Sequence, residues 1–166
     1  MFEKGQYIVY GIAGPCLITD ITRLTLSGCD GKRKYYVLRP MNSARSTIYS
    51  PIDNEKVIIR QIMTAQEAES LMRDLSRIRP ARIENEKQRE DAYKEIMKTA
   101  DLRADVGLLK ALYKKRASRL SEGRKFTTVD EKYLRDAEGV LCSELSIALG
   151  EEQEETTERI RKKLDA

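Results

Sequence analysis

The chain has 166 residues and a formal net charge of +4, with 40% hydrophobic and 35% charged residues. That balance excludes a disordered chain, and no apolar run approaches the ~20 residues that a membrane-spanning helix needs. With no histidine and three irregularly spaced cysteines, Cys16, Cys29 and Cys142, it also excludes His-based triads, Cys-His dyads and histidine metal sites.

The first sixty residues carry short β-branched and aromatic runs: Gln6 to Tyr10, Pro15 to Ile21, Lys34 to Leu38, Ser46 to Tyr49 and Lys56 to Ile59. Turn formers separate them, at Gly11, Gly14-Pro15, Asp30-Gly31, Pro40 with Asn42, and Pro51 with Asp53-Asn54. Five short strands at this spacing predict a small antiparallel barrel of the SH3 or Tudor kind. Gly11-Ile12-Ala13-Gly14 spells a GxxG, but it lies between strands, so it reads as a turn rather than an RNA-binding loop between helices.

From Gln61 the period changes. Thr64 with Glu67 forms a capping box that opens a helix running to about Ile78, and Pro80 ends it. A second helix is expected from about Glu86 to Thr99. A third, capped by Asp101, places Val106, Leu109, Leu112, Tyr113 and Leu120 on a buried stripe and breaks at Ser121-Glu122-Gly123. Thr128 with Glu131 reads as a second capping box, opening a helix that closes at Gly150. From Glu151 to Ala166 acids come first and bases last, with Glu155–Arg159 and Glu158–Lys162 at i,i+4 spacing. The fold class expected is α+β, a barrel domain over residues 1–60 and an all-helical domain over 61–166.

Charge is uneven. Residues 1–60 hold nine bases and five acids, whereas the remainder holds 22 of each. Within the remainder, Lys110, Lys114, Lys115, Arg116, Arg119, Arg124 and Lys125 face only the acid Glu122 over one stretch, a phosphate-attracting pattern. Glu84, Glu86, Glu90 and Asp91 read as a solvated helix face. No phosphate loop, nucleophile elbow or metal-ligand spacing is visible, which points away from an enzyme and from any cofactor. The N-terminus shows no basic patch followed by an apolar core, so a cytoplasmic protein is expected.

The opening Phe2-Glu3-Lys4-Gly5-Gln6-Tyr7-Ile8-Val9-Tyr10 resembles the F-x-x-G-x-x-V-V-Y start of the CarD (CdnL) transcription regulators. Their N-terminal barrel is shared with the polymerase-binding domain of transcription-repair coupling factors. The resemblance continues through Ile21-Thr22-Arg23, Tyr36-Val37-Leu38 and Thr47-Ile48-Tyr49-Ser50-Pro51, then Leu108 to Tyr113 and Leu141 to Ala148.

This resemblance implies a monomeric, non-enzymatic adaptor. Its barrel would add a strand edge to the RNA polymerase β subunit, and its helical domain would contact promoter DNA and stabilise the open complex. The polymerase-facing residues implied are Arg23, Arg45, Thr47, Ile48, Tyr49 and Pro51; Tyr49 stands where relatives often carry an arginine. Relatives also wedge a tryptophan against the minor groove, whereas this chain has Glu86 there and no Trp at all. DNA contact would therefore rest on backbone-directed charge from Lys87, Arg89, Lys94, Arg124, Lys125 and Lys132, without sequence readout. The alternative is a polymerase adaptor that never touches DNA.

Overall fold

A computed structural model describes residues 1–24 and 31–164. The chain divides into two compact units, Met1–Ile62 and Met63–Ala166. Cys29 and Asp30, the first residue of the Asp30-Gly31 turn expected from sequence, lie outside the described residues.

The first unit is one antiparallel sheet of β1 (Tyr7–Tyr10), β2 (Gly14–Arg23), β3 (Lys34–Pro40), β4 (Ile48–Pro51) and β5 (Ile59–Gln61), in the order β4-β3-β2-β1-β5. β2 pairs with β3 from Cys16↔Pro40 to Arg23↔Lys34, but the register slips between Ile18 and Asp20. Thr19 is the extra residue, and its hydroxyl donates to the Val37 carbonyl at 3.1 Å. A bulge of this kind bends the strand and raises its twist. The sheet curls accordingly: Ile48 from one edge and Ile59 from the other pack on the same core of Ile8, Cys16, Ile18, Tyr36 and Leu38. This is the small barrel that the strand spacing predicts.

Between β1 and β2, Gly11–Ala13 form a 3-10 turn. Gly11 has φ +46°, and a Cβ there would sit 2.7 Å from Val57 Cγ1, so glycine is required on both counts.

Two strands begin later than the residue pattern suggests. Ser46 N–H donates to the Ser43 carbonyl, which holds residues 43–46 in a turn, and β4 starts at Ile48. Asn54 accepts the Lys56 N–H on its side chain at 2.8 Å, an Asx turn that keeps Lys56 out of the ladder until β5 starts at Ile59.

The second unit is helical: α1 (Ala65–Asp74), α2 (Arg89–Lys98), α3 (Leu102–Ser121), α4 (Thr128–Leu149) and α5 (Gln153–Leu164). Thr64 and Glu67 make the full capping box. Asp101 caps α3, and Gly150 closes α4 with left-handed φ +67°. The core joins Leu71, Leu75, Leu108, Leu109 and Leu112 to Leu141, Leu145 and Ile160, all 2% exposed or less. Buried positions of α3 end at Leu112, so Leu120, expected in the stripe, is 62% exposed in the last turn.

The cap of α4 also differs by one residue from the expected box. Thr127, not Thr128, is the N-cap, and its hydroxyl accepts the Asp130 N–H. In the last helix Arg159 pairs with Glu151, which precedes α5, rather than with Glu155. Among the described residues no helix is long and apolar enough to cross a membrane.

Candidate functional site

In the first unit the exposed resource is the β4 edge. Among the described residues β4 pairs on one side only, with β3, through Leu38↔Ile48, Val37↔Tyr49, Tyr36↔Ser50 and Tyr35↔Pro51. Just past the strand, Ile52 N–H donates to the Lys34 carbonyl at 3.1 Å. Main-chain direction alternates along an antiparallel pair, so Ser50 and Ile48 also bond inward to β3. Tyr49 and Pro51 then face away from the sheet. Pro51 has no N–H to offer, so it costs no ladder bond there, and Tyr49 carries the outward donor of β4.

Side chains along this edge match its exposure. Ile48 is half-buried on the core, Ser50 is buried and accepts a hydrogen bond from Asn54 Nδ2 at 3.1 Å, and Tyr49 is 46% exposed. Arg45 and Thr47 are exposed just before the strand. Arg23 is exposed at the end of β2 opposite Lys34, so it shares the barrel end where Pro51 lies, two strands in, about 10 Å away. A bare edge flanked by cations is a site for adding an extended strand with acidic neighbours.

In the second unit the six bases singled out from sequence are differently occupied. Arg89 donates from Nε to Asp130 Oδ1 at 2.9 Å and from Nη1 to the Glu86 carbonyl at 3.2 Å, so its charge is turned inward. Lys94 lies 3.8 Å from Glu90. Lys132 pairs with Asp136 at 2.8 Å and sits 4.5 Å above the Tyr133 ring. Arg124 is 3.7 Å from Glu122, in an exposed pair worth little. Lys87 and Lys125 are exposed, with no carboxylate partner among the described residues. Lys87, Arg124 and Lys125 are therefore the most available of the six for an outside anion.

Asp130 is the electrostatic centre of this unit. Its side chain is fully buried, yet it accepts from Arg89, Tyr93 Oη at 2.9 Å, Thr127 Oγ1 at 2.9 Å and Lys115 Nζ at 2.9 Å. Burial pushes its pKa up, but the hydrogen bonds from Lys115, Thr127, Tyr93 and Arg89 outweigh that and hold it below the ordinary 3.8. Its position in the first turn of α4 adds the favourable end of the helix dipole. Glu86 opens a short 3-10 turn (Glu86–Gln88) and pairs with Lys115.

A second basic surface is missing from the six. Residues 77–83 cross α3, pinned where Ala81 N–H donates to the Gly107 carbonyl at 2.8 Å and Lys110 Nζ donates to the Ile78 carbonyl at 2.7 Å. This segment brings Arg77, Arg79 and Arg82 alongside Lys114 and Arg119. Its sequence signals are the arginine spacing around Pro80 in Ser76-Arg77-Ile78-Arg79-Pro80-Ala81-Arg82 and the basic run from Lys110 to Lys125 that supplies Lys114 and Arg119.

Residues 2–63 match the CarD-like/TRCF RID domain family. The chain carries a CarD-like/TRCF RID domain. The match covers the first unit from Phe2 and ends at Met63, so the edge strand β4 and Arg23 belong to it. A RID domain is an RNA polymerase-interacting module, which makes this a transcription-related, RNA polymerase-interacting protein. No curated protein matches the chain.

Proposed function

We propose that this protein is a non-enzymatic transcription regulator of the cytoplasm. Its RID domain docks on the polymerase β subunit by strand addition at β4, and its helical unit holds promoter DNA beside the melted region. Stabilising that state lengthens the life of the open complex. The observation that carries the polymerase half is the unpaired β4 edge with Tyr49 N–H facing outward, inside a domain of the RID family. The DNA half is supported by Lys87, Arg124 and Lys125, exposed bases suited to phosphates and blind to sequence. Such contacts are weak alone, and tethering through the polymerase raises the local DNA concentration.

The test is the lifetime of promoter open complexes with and without the protein across a salt series. The wild type should extend it, and replacing Lys87, Arg124 and Lys125 by Ala should shrink the effect and lower the salt slope by about one per lost contact. A second reading, an adaptor without DNA contact, is favoured by Arg89 being held on Asp130 and by the absence of Trp. Wild-type behaviour of the triple variant would select it.

A further inference from the structure

The strongest feature outside the surfaces above is the basic face around residues 77–83. Two depressions adjoin there. One, of about 670 Å³, has an aliphatic floor of Pro80, Ala81, Ile83 and Ala111. The other, of about 490 Å³, has Ile78, Pro80 and Leu164. Arg79 and Lys114 line both and so mark the divide between them. Arg77, Arg79, Arg82, Lys114 and Arg119 line this face with no carboxylate partner among the described residues. Glu86 also lines the larger depression but is paired with Lys115, so these five bases keep a net positive surplus and create a local positive potential.

The floor decides between occupants. A phosphodiester backbone uses the cations but gains nothing from aliphatic hollows, and a single strand needs exposed aromatic planes for its bases. The nearby rings are engaged: Tyr93 is 2% exposed and hydrogen-bonded to Asp130, and Tyr113 donates to Glu138 beneath the Arg116 guanidinium. Apolar hollows on either side of a cationic divide suit a chain that alternates aliphatic and acidic residues, where buried aliphatic anchors give affinity and charge gives orientation and on-rate.

We propose that this face of the helical unit is a docking groove for an acidic protein segment whose aliphatic side chains flank its carboxylates. It uses none of the six bases assigned to DNA and does not depend on the polymerase docking of the RID domain.

The test is fluorescence anisotropy with the full chain and a fluorescein-labelled peptide in which a run of Glu and Asp is flanked on each side by a Leu pair. The peptide should bind, and binding should fall at least tenfold with Arg82→Glu combined with Lys114→Glu, both exposed and outside the core. It should fall similarly when Ser replaces each Leu. Labelled oligothymidine should not displace the peptide. Absence of peptide binding, equal binding by the double variant or by the Ser peptide, or displacement by oligothymidine would each overturn the proposal, the last by making this a nucleic-acid surface. Polymerase binding by the same double variant, measured in parallel, should be unchanged, which separates this groove from the RID interface.

Discussion

Arg89 Nε donates to Asp130 Oδ1 at 2.9 Å, tying the first residue of α2 to the first turn of α4 across 41 positions of sequence. Asp130 is wholly buried, so its charge is tolerated only because Arg89, Lys115, Tyr93 and Thr127 all point at it. Removing one member of such a buried pair leaves an uncompensated charge. Asp130→Asn should cost the helical unit about 3 kcal/mol, read as a lower urea midpoint of the 222 nm signal. Arg89→Ala removes one donor and should cost about 2 kcal/mol, whereas Lys87→Ala, on the exposed 3-10 turn, should leave the midpoint in place. An unchanged midpoint for Asp130→Asn would contradict the network.

The same carboxylate sets an acid limit. Its folded pKa lies below the ordinary 3.8, so its contribution is complete above the unfolded value and fades as pH falls through the folded one. Stability of the helical unit should therefore drop below about pH 4, and the drop should be smaller in Asp130→Asn. Parallel acid limbs for the two proteins would mean that other carboxylates dominate.

Cys16 and Cys142 should be inert in the native state. Burial raises the Cys16 thiol to about 12 and the Cys142 thiol to about 11, so neither forms thiolate at neutral pH. Iodoacetamide followed by peptide mapping should leave both unmodified in buffer and label both in denaturant. Rapid native labelling of either would contradict its burial.

Gly11→Ala should destabilise the RID domain. The added Cβ meets Val57 at 2.7 Å, and φ +46° is unfavourable for alanine. A loss of about 1–2 kcal/mol is expected, with the helical unit untouched. A wild-type urea transition for the barrel signal would show that residues 57 and 58 relax away at little cost.

What could be read in the sequence was local. Thr64 and Glu67 bond each other within one turn, so that cap follows from a short pattern; the glycines mark the Gly11–Gly14 turn too, although Val57 and the Ile58 carbonyl complete its surroundings. Thr127 was hidden behind Thr128 because the choice of cap depends on Asp130, which is pulled inward by Tyr93 and Arg89, 37 and 41 residues away. For the same reason Arg89 reads as a surface base in sequence and turns out to be an internal tie. The edge status of β4 is set by strand order, which alternation alone does not give. The basic face of residues 77–83 exists because Gly107 lets the segment approach: a Cβ there would lie 3.1 Å from the Arg79 carbonyl oxygen.

Strand addition at β4 is tested most directly at Tyr49. Proline there removes the outward N–H while sparing the inward bonds of Ile48 and Ser50 to β3, so the barrel should stay folded. Biolayer interferometry of the immobilised protein with core RNA polymerase should show binding by the wild type, weaker binding by Arg23→Glu, and at least a tenfold loss for Tyr49→Pro. Wild-type affinity in a folded Tyr49→Pro protein would contradict docking through this edge.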